Sequence, residues 1–254
     1  MRLSRFLILE MVVFACCASV LAADKPAPPP SLAKLAPADD LLRQVDEYLT
    51  RASEALADPN AFDLASQSRV SKDANALAAL ALVLAMHDQD FPQKASMPVM
   101  LQAAQELAEC EGDYQCAVDA LAQLKAARAG DAKADAPAKW EKVASLSALM
   151  KQVPLIHAAM KRGVGRRLAS RAEQTTAQSA ALAAIAQASI YDTEHALDDE
   201  EVEAWQKYCA EMRDSAGEVN AAIHAQDAAR VDAGVKRLEQ SCEACHAKFR
   251  AQVQ

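Results

Sequence analysis

Apolar side chains recur every three to four residues along almost the whole of this chain, which is the period of an α-helix. Glycine, which weakens helices, occurs 6 times in 254 residues, whereas alanine and leucine are abundant. No segment alternates as a half-buried strand would. The sequence therefore predicts an all-α fold, with helices at 39–57, 69–88, 96–110, 113–127, 138–162, 167–196, 199–225 and 227–252.

Two stretches of low complexity divide the chain into parts. Residues 23–38 include five prolines and predict an extended tether. Residues 128–137 are small, charged and interrupted by Gly130 and Pro137, which predicts a linker. We therefore expect two tandem four-helix bundles, one at 39–127 and the other at 138–254.

The two predicted bundles resemble each other at an offset of just over one hundred residues. The first helices align Leu42, Val45, Leu49, Ala52 and Leu56 with Leu146, Leu149, Val153, Ile156 and Met160. The last helices align Ala117, Leu121 and Leu124 with Val231, Val235 and Leu238. Alanine-rich amphipathic helices also align by default, so an ancient duplication and chance both remain as explanations.

The first 22 residues are typical of an export signal. Arg2 and Arg5 precede an apolar run that leads to small residues ending at Ala22, where we expect cleavage. The run is too short to span a bilayer, so no transmembrane segment is expected after cleavage. The protein is expected to be periplasmic or otherwise exported, with a lipid anchor at Cys16 as the alternative.

The formal net charge of −8 at pH 7 argues against a nucleic-acid partner. It favours partner proteins with a basic docking surface. Among the cysteines, Cys110 and Cys116 flank a predicted turn, and an oxidising compartment would allow a disulfide between them. Cys209 lies on the apolar face of its helix and is expected to be buried.

Near the C-terminus the chain reads Cys242-Glu243-Ala244-Cys245-His246, and C-x-x-C-H is the attachment motif of c-type haem. On a helix this spacing places both cysteines and the histidine on one face. The cysteines can then form thioether bonds to the porphyrin while His246 binds the iron. A zinc site would need a second ligand pair, and a thioredoxin-like motif would need a βαβ unit, and the sequence offers neither.

The motif lies at the end of the last predicted helix, in phase with the apolar residues Val231, Val235, Leu238 and Phe249. A single motif in this position resembles the class II c-type cytochromes, the cytochrome c-prime group and its low-spin relatives. The resemblance covers residues 138–252 and implies a four-helix bundle with one covalent haem c, in which Trp205 marks the third helix. Residues 39–127 lack the motif, so for them the resemblance supports only a bundle.

In low-spin members of that family a methionine on the first helix is the sixth iron ligand, which here points to Met150. Met150 aligns with Asp46 of the haemless half, whereas Met160 aligns with Leu56 and is expected in the core. His157 is a competing ligand, two turns beyond Met150 and just after the helix-kinking Pro154. Arg250 either pairs with a haem propionate or is solvated.

Two functions follow from these expectations. The first is an exported monohaem cytochrome that carries single electrons between redox partner proteins. The alternative is a five-coordinate haem protein that binds or senses NO or CO, which an apolar residue opposite His246 would allow. We do not expect an enzyme, because a peroxidase would need a distal base and an arginine that the spacing does not reveal. A homodimer is compatible with either function.

Overall fold

The structure is a computed structural model that describes residues 30–250. The described residues form helices and contain no strand, so the all-α prediction is confirmed. The predicted export signal lies outside them. The helices are α1 Leu32–Leu35, α2 Ala38–Ala55, α3 Leu64–Ala85, α4 Met97–Glu109, α5 Tyr114–Ala129, α6 Leu146–Gly163, α7 Leu168–Ser189, α8 Asp199–His224 and α9 Ala228–Phe249.

The predicted start of the fifth helix at residue 138 is wrong, because α6 begins at Leu146. Ser145 caps this helix, and its side chain accepts a hydrogen bond from the backbone N–H of Ala148. The Asn75 side chain of α3 accepts a bond from the Ser145 N–H at 2.7 Å. Tertiary bonds therefore hold the end of this segment in a loop, although its composition tolerates a helix.

The predicted end of the sixth helix at residue 196 is also wrong, because α7 stops at Ser189. Turn bonds from the Tyr191 N–H to Ala188 O and from the Asp192 N–H to Ser189 O follow the helix. The Tyr191 ring stacks on Trp140, with the ring centroids 5.2 Å apart. This aromatic contact joins the loop before α6 to the loop after α7.

The predicted tether is ordered at its C-terminal end. Leu32 is buried, and Leu35 packs so closely on Gly217 of α8 that a Cβ there would lie 2.7 Å from Leu35 Cδ2. The imidazole of His87 lies 3.0 Å from the carbonyl oxygen of Ala36. Residues 32–36 are therefore docked on the body of the protein and are not an extended spacer.

One apolar core runs through both halves of the described chain. Every residue of α3 from Asp73 to Leu84 is buried, and so is every residue of α7 from Thr175 to Ser189. These helices are rich in alanine, which lets backbones approach closely. α3 packs against α6 and α7, and α2 packs against α7. The two halves thus share one core across the predicted linker.

Two buried carboxylates also join the halves. Asp40 of α2 accepts hydrogen bonds from Thr176 of α7 at 2.9 Å and from Asn220 of α8 at 2.9 Å, and His224 Nε2 lies 2.7 Å away. Asp73 of α3 accepts a bond from Gln152 of α6 at 2.5 Å. These bonds satisfy polar groups that would otherwise be costly to bury.

We expect Gly163→Ala to lower the free energy of unfolding by about 2 kcal/mol, the cost of overpacking. A Cβ at Gly163, where α6 ends, would lie 2.1 Å from Thr175 Oγ1. Thr175 cannot yield easily, because it is buried and donates a bond to Arg171 O at 2.7 Å. Urea denaturation measures the change.

Gly165→Ala is the comparison for that variant. Gly165 has φ +68, and a Cβ there would meet no atom within 4 Å. Its substitution should lower the free energy of unfolding by only about 1 kcal/mol, because alanine is less favourable than glycine in the left-handed conformation. A Gly163→Ala variant as stable as the wild type would contradict the close contact between α6 and α7.

Candidate functional site

A cavity opens between four helices, where α6 and α8 begin and where α7 and α9 end. Its inner part is lined by apolar side chains that include Val153 of α6 and Ala186 of α7. The inner part has a volume of about 60 Å³ and the mouth about 490 Å³, and the mouth alone falls within the usual size of small-molecule sites. The lining residues shared by the inner part and the mouth are Met150, Pro154, Trp205, Cys245 and His246.

Helix α9 brings the C-x-x-C-H motif to this cavity. Asp227 caps the start of the helix by accepting a hydrogen bond from the Arg230 N–H, and the predicted apolar residues of the helix are buried. Cys242, Cys245 and His246 all line the cavity. The motif therefore faces a space that a ligand can occupy.

Both motif cysteines are half-buried, and neither forms a disulfide with a residue that the structure describes. Burial raises the pKa of Cys242, and burial with the neighbouring Cys242 thiol raises the pKa of Cys245 to about 11. Both groups are protonated thiols at neutral pH as a result.

Met150, predicted as the sixth ligand, lines both parts of the cavity from α6. It lies one turn before Pro154, which has no N–H and so leaves the Met150 carbonyl without its usual helical partner. The His246 side chain also borders both parts. The structure therefore places the two predicted iron ligands around one space, on different helices.

A second methionine, Met212 of α8, lines the inner part of the cavity. It lies seven residues after Trp205, on the same apolar stripe of α8. Its position three residues after the buried Cys209 places it on the cavity face of α8, but core methionines have the same spacing. Met212 is thus a ligand candidate that sequence reasoning missed.

The rest of the wall is apolar and well anchored. Trp205 is buried, and its indole N–H donates a hydrogen bond to Ser189 O at 2.9 Å. The Phe249 ring meets the Trp205 ring edge to face, with centroids 5.3 Å apart, and it contacts Tyr208 in a similar way. Cys209 is buried against this wall, as predicted, and burial raises the pKa of its thiol well above the usual range.

Two cations stand at the mouth of the cavity. Arg250 and Lys151 both line it, and neither forms an ion pair with any carboxylate in residues 30–250. From the sequence, Arg250 was expected either to pair with a haem propionate or to be solvated. The position of Lys151 at the cavity was not predicted. Together they offer charge-assisted hydrogen bonds to carboxylates of a bound ligand.

The structure does not bring the other ligand candidates to the cavity lining. His157 packs near α9, where its Nε2 lies 3.8 Å from Glu239 Oε1, and burial lowers its pKa. Glu239 also accepts a hydrogen bond from Lys161 at 2.6 Å. Met160 is fully buried in the core, as the alignment with Leu56 predicts.

An ion pair occupies the corresponding place in the first half. Under the predicted alignment Asp46 of α2 corresponds to Met150, and Arg128 of α5 corresponds to Cys242. Arg128 donates two hydrogen bonds to the Asp46 carboxylate, at 2.7 and 2.8 Å. This half also contains the Cys110–Cys116 disulfide, so that prediction is confirmed.

The side chains of the cavity suit an iron porphyrin. They comprise three thiols, an imidazole, two thioethers, an aromatic wall and two cations at the mouth. Within the part of the chain that the structure describes, no group of three or more His, Cys, Asp or Glu side chains is placed to hold a metal ion. His246 and Met150 offer one nitrogen and one sulfur donor from different helices, a pair of donors that haem iron accepts.

No helix of residues 30–250 combines the length and the apolar character needed to cross a membrane. Comparisons with protein-family models, with curated proteins and with solved structures found no match for this chain. The function must therefore be inferred from the geometry and chemistry of the cavity itself.

Proposed function

We propose that this protein is an exported monohaem c-type cytochrome that carries single electrons. The observation that supports this best is the convergence of Cys242, Cys245, His246 and Met150 on one apolar cavity. A haem in this place would supply an iron centre that exchanges one electron at a time. Such a function needs no catalytic residues.

Each group of the cavity has a role in this proposal. Cys242 and Cys245 would attach the porphyrin through thioether bonds, and His246 and Met150 would hold the iron. Arg250 and Lys151 pair with the propionates. The aromatic wall excludes water, which lowers the local dielectric and raises the influence of these charges on the redox potential.

The same proposal treats α2–α5 and α6–α9 as two four-helix bundles that dock on each other. Contacts between the halves pair α2 with α7 and α3 with α6. In the predicted alignment α2 corresponds to α6, and α3 corresponds to α7. The contact of α2 in the first half with α7 in the second is therefore the counterpart of the contact of α6 in the second half with α3 in the first. The pattern is that of an isologous dimer interface within one chain.

A basic partner would dock beside the mouth of the cavity, which itself carries positive charge. Helix α8 begins with Asp199, Glu200 and Glu201 at the same end of the protein, and Asp199 and Glu200 are exposed. These carboxylates can steer a basic redox partner towards the cavity through long-range attraction. Steering of this kind weakens as ionic strength rises.

A cysteine variant tests covalent attachment. We expect the exported wild-type protein to retain haem after denaturing electrophoresis, because thioether bonds survive unfolding. The double variant Cys242→Ala/Cys245→Ala should lose this haem completely, whereas Cys209→Ala should keep it. Haem staining of the gel and mass spectrometry measure the result. A wild-type protein without covalent haem would contradict the proposal.

A further inference from the structure

The turn between α6 and α7 carries dense positive charge on an otherwise acidic protein. Residues 161–171 contain five lysine or arginine residues and no acidic residue, although the whole chain has a net charge of −8. Lys161 pairs with Glu239. The remaining four cations, which we call the arginine patch, are Arg162, Arg166, Arg167 and Arg171.

The arginine patch takes no part in packing or in ion pairing among residues 30–250. All four side chains are exposed. None of them forms a salt bridge with a carboxylate in that range. Their guanidinium groups thus remain available to an external anion.

Two of these arginines lie at the N-terminus of α7, where their positive charge destabilises the helix. Arg167 precedes α7 and Arg171 lies in its first turn, which has no acidic residue. A cation near a helix N-terminus is unfavourable to the helix dipole. Helix α8 shows the favourable arrangement, because it begins with three acidic residues. The arginines at the start of α7 are therefore not explained by stability of the fold.

The patch lies at the end of the protein that is opposite to the cavity. Asn220 of α8 donates a hydrogen bond to Thr176 O of α7 at 3.0 Å, so the start of α7 lies level with the end of α8. The described chain also begins near this end. α1 packs on the C-terminal half of α8, and Ser31 Oγ donates a hydrogen bond to Asp88 at 2.5 Å.

We propose that the arginine patch docks on the surface of an anionic phospholipid membrane. Arginine binds phosphate groups through paired N–H donors, and clustered cations are attracted to anionic lipid. The patch lies on the exposed turn of a helical hairpin, where a flat surface can reach it. A membrane bound there leaves the mouth of the cavity free at the other end.

Vesicle sedimentation tests this proposal and does not depend on haem content. The mature chain, starting at residue 23, should bind mixed phosphatidylglycerol and phosphatidylcholine vesicles and should not bind pure phosphatidylcholine. The quadruple variant Arg162→Gln, Arg166→Gln, Arg167→Gln and Arg171→Gln should bind the mixed vesicles about 1,000-fold more weakly. Binding by the wild type should also fall with added salt.

The matched control removes the same amount of charge elsewhere. Lys125, Lys133, Lys139 and Lys207 are exposed and outside the patch, and their replacement by glutamine should leave vesicle binding nearly unchanged. Circular dichroism confirms that both variants fold. Equal loss of binding in the two variants would show that net charge alone decides. Wild-type protein that ignores anionic vesicles yet binds an acidic protein would also overturn the proposal.

Discussion

Replacing Met150 with leucine should convert a low-spin, six-coordinate haem into a five-coordinate one that binds CO readily after reduction. Leucine has a similar volume and fills the same part of the cavity, but it has no sulfur to donate to the iron. The fold should therefore survive while the axial bond is lost. Absorption spectra of the oxidised and reduced protein, with and without CO, measure the change.

Met212→Leu is the matched control, because Met212 also lines the cavity but lies on α8. This variant should keep the low-spin spectrum. A low-spin spectrum that survives Met150→Leu and disappears in Met212→Leu would assign the bond to Met212. A wild-type protein that already binds CO readily, with no change in either variant, would favour the gas-binding function.

Removal of the Asp40 carboxylate should cost about 3 kcal/mol of unfolding free energy, which is a large part of the stability of most domains. Asp40 is 2 % exposed and accepts hydrogen bonds from Thr176 and Asn220, which are equally buried. In Asp40→Ala both donors lose an acceptor in a region that water does not reach. Thermal and urea denaturation measure the loss.

Asp39→Ala controls for effects on the helix alone. Asp39 precedes Asp40 in the first turn of α2 but is exposed. Its loss should cost at most ~1 kcal/mol, the usual contribution of an acidic residue near a helix N-terminus. Equal stability of the two variants would indicate that the bonds between α2, α7 and α8 contribute little.

The sequence predicts helices well because their apolar period is local information. It also predicts most of the cavity, since the spacing of Cys242, Cys245 and His246 requires one helix face, and the structure places Met150 around the same space. Lys151 and Met212 were missed for a different reason. An exposed lysine and a core methionine are common on any amphipathic helix, and only the position of other helices shows that these two border a cavity.

The way in which the two halves pack against each other cannot be predicted from the local sequence pattern. Asp40 and Thr176 are 136 residues apart in the sequence, and nothing near either residue identifies the other. The composition of residues 128–137 predicts a connection that can bend, but it carries no information on what lies at its two ends. Partners of buried polar residues are decided by tertiary structure, which explains why the sequence predicts two bundles without predicting that they share a continuous core.

The Asp46–Arg128 ion pair affects how electrons could pass through the proposed cytochrome. A surface ion pair stands where Met150 and Cys242 would align, and residues 39–127 lack the C-x-x-C-H motif. The proposed cytochrome would therefore have a single redox centre, in the cavity whose mouth lies between Lys151 and Arg250. Donor and acceptor would then have to occupy that mouth in turn. Reduction and oxidation would be separate bimolecular encounters, so turnover would depend on how quickly each partner leaves.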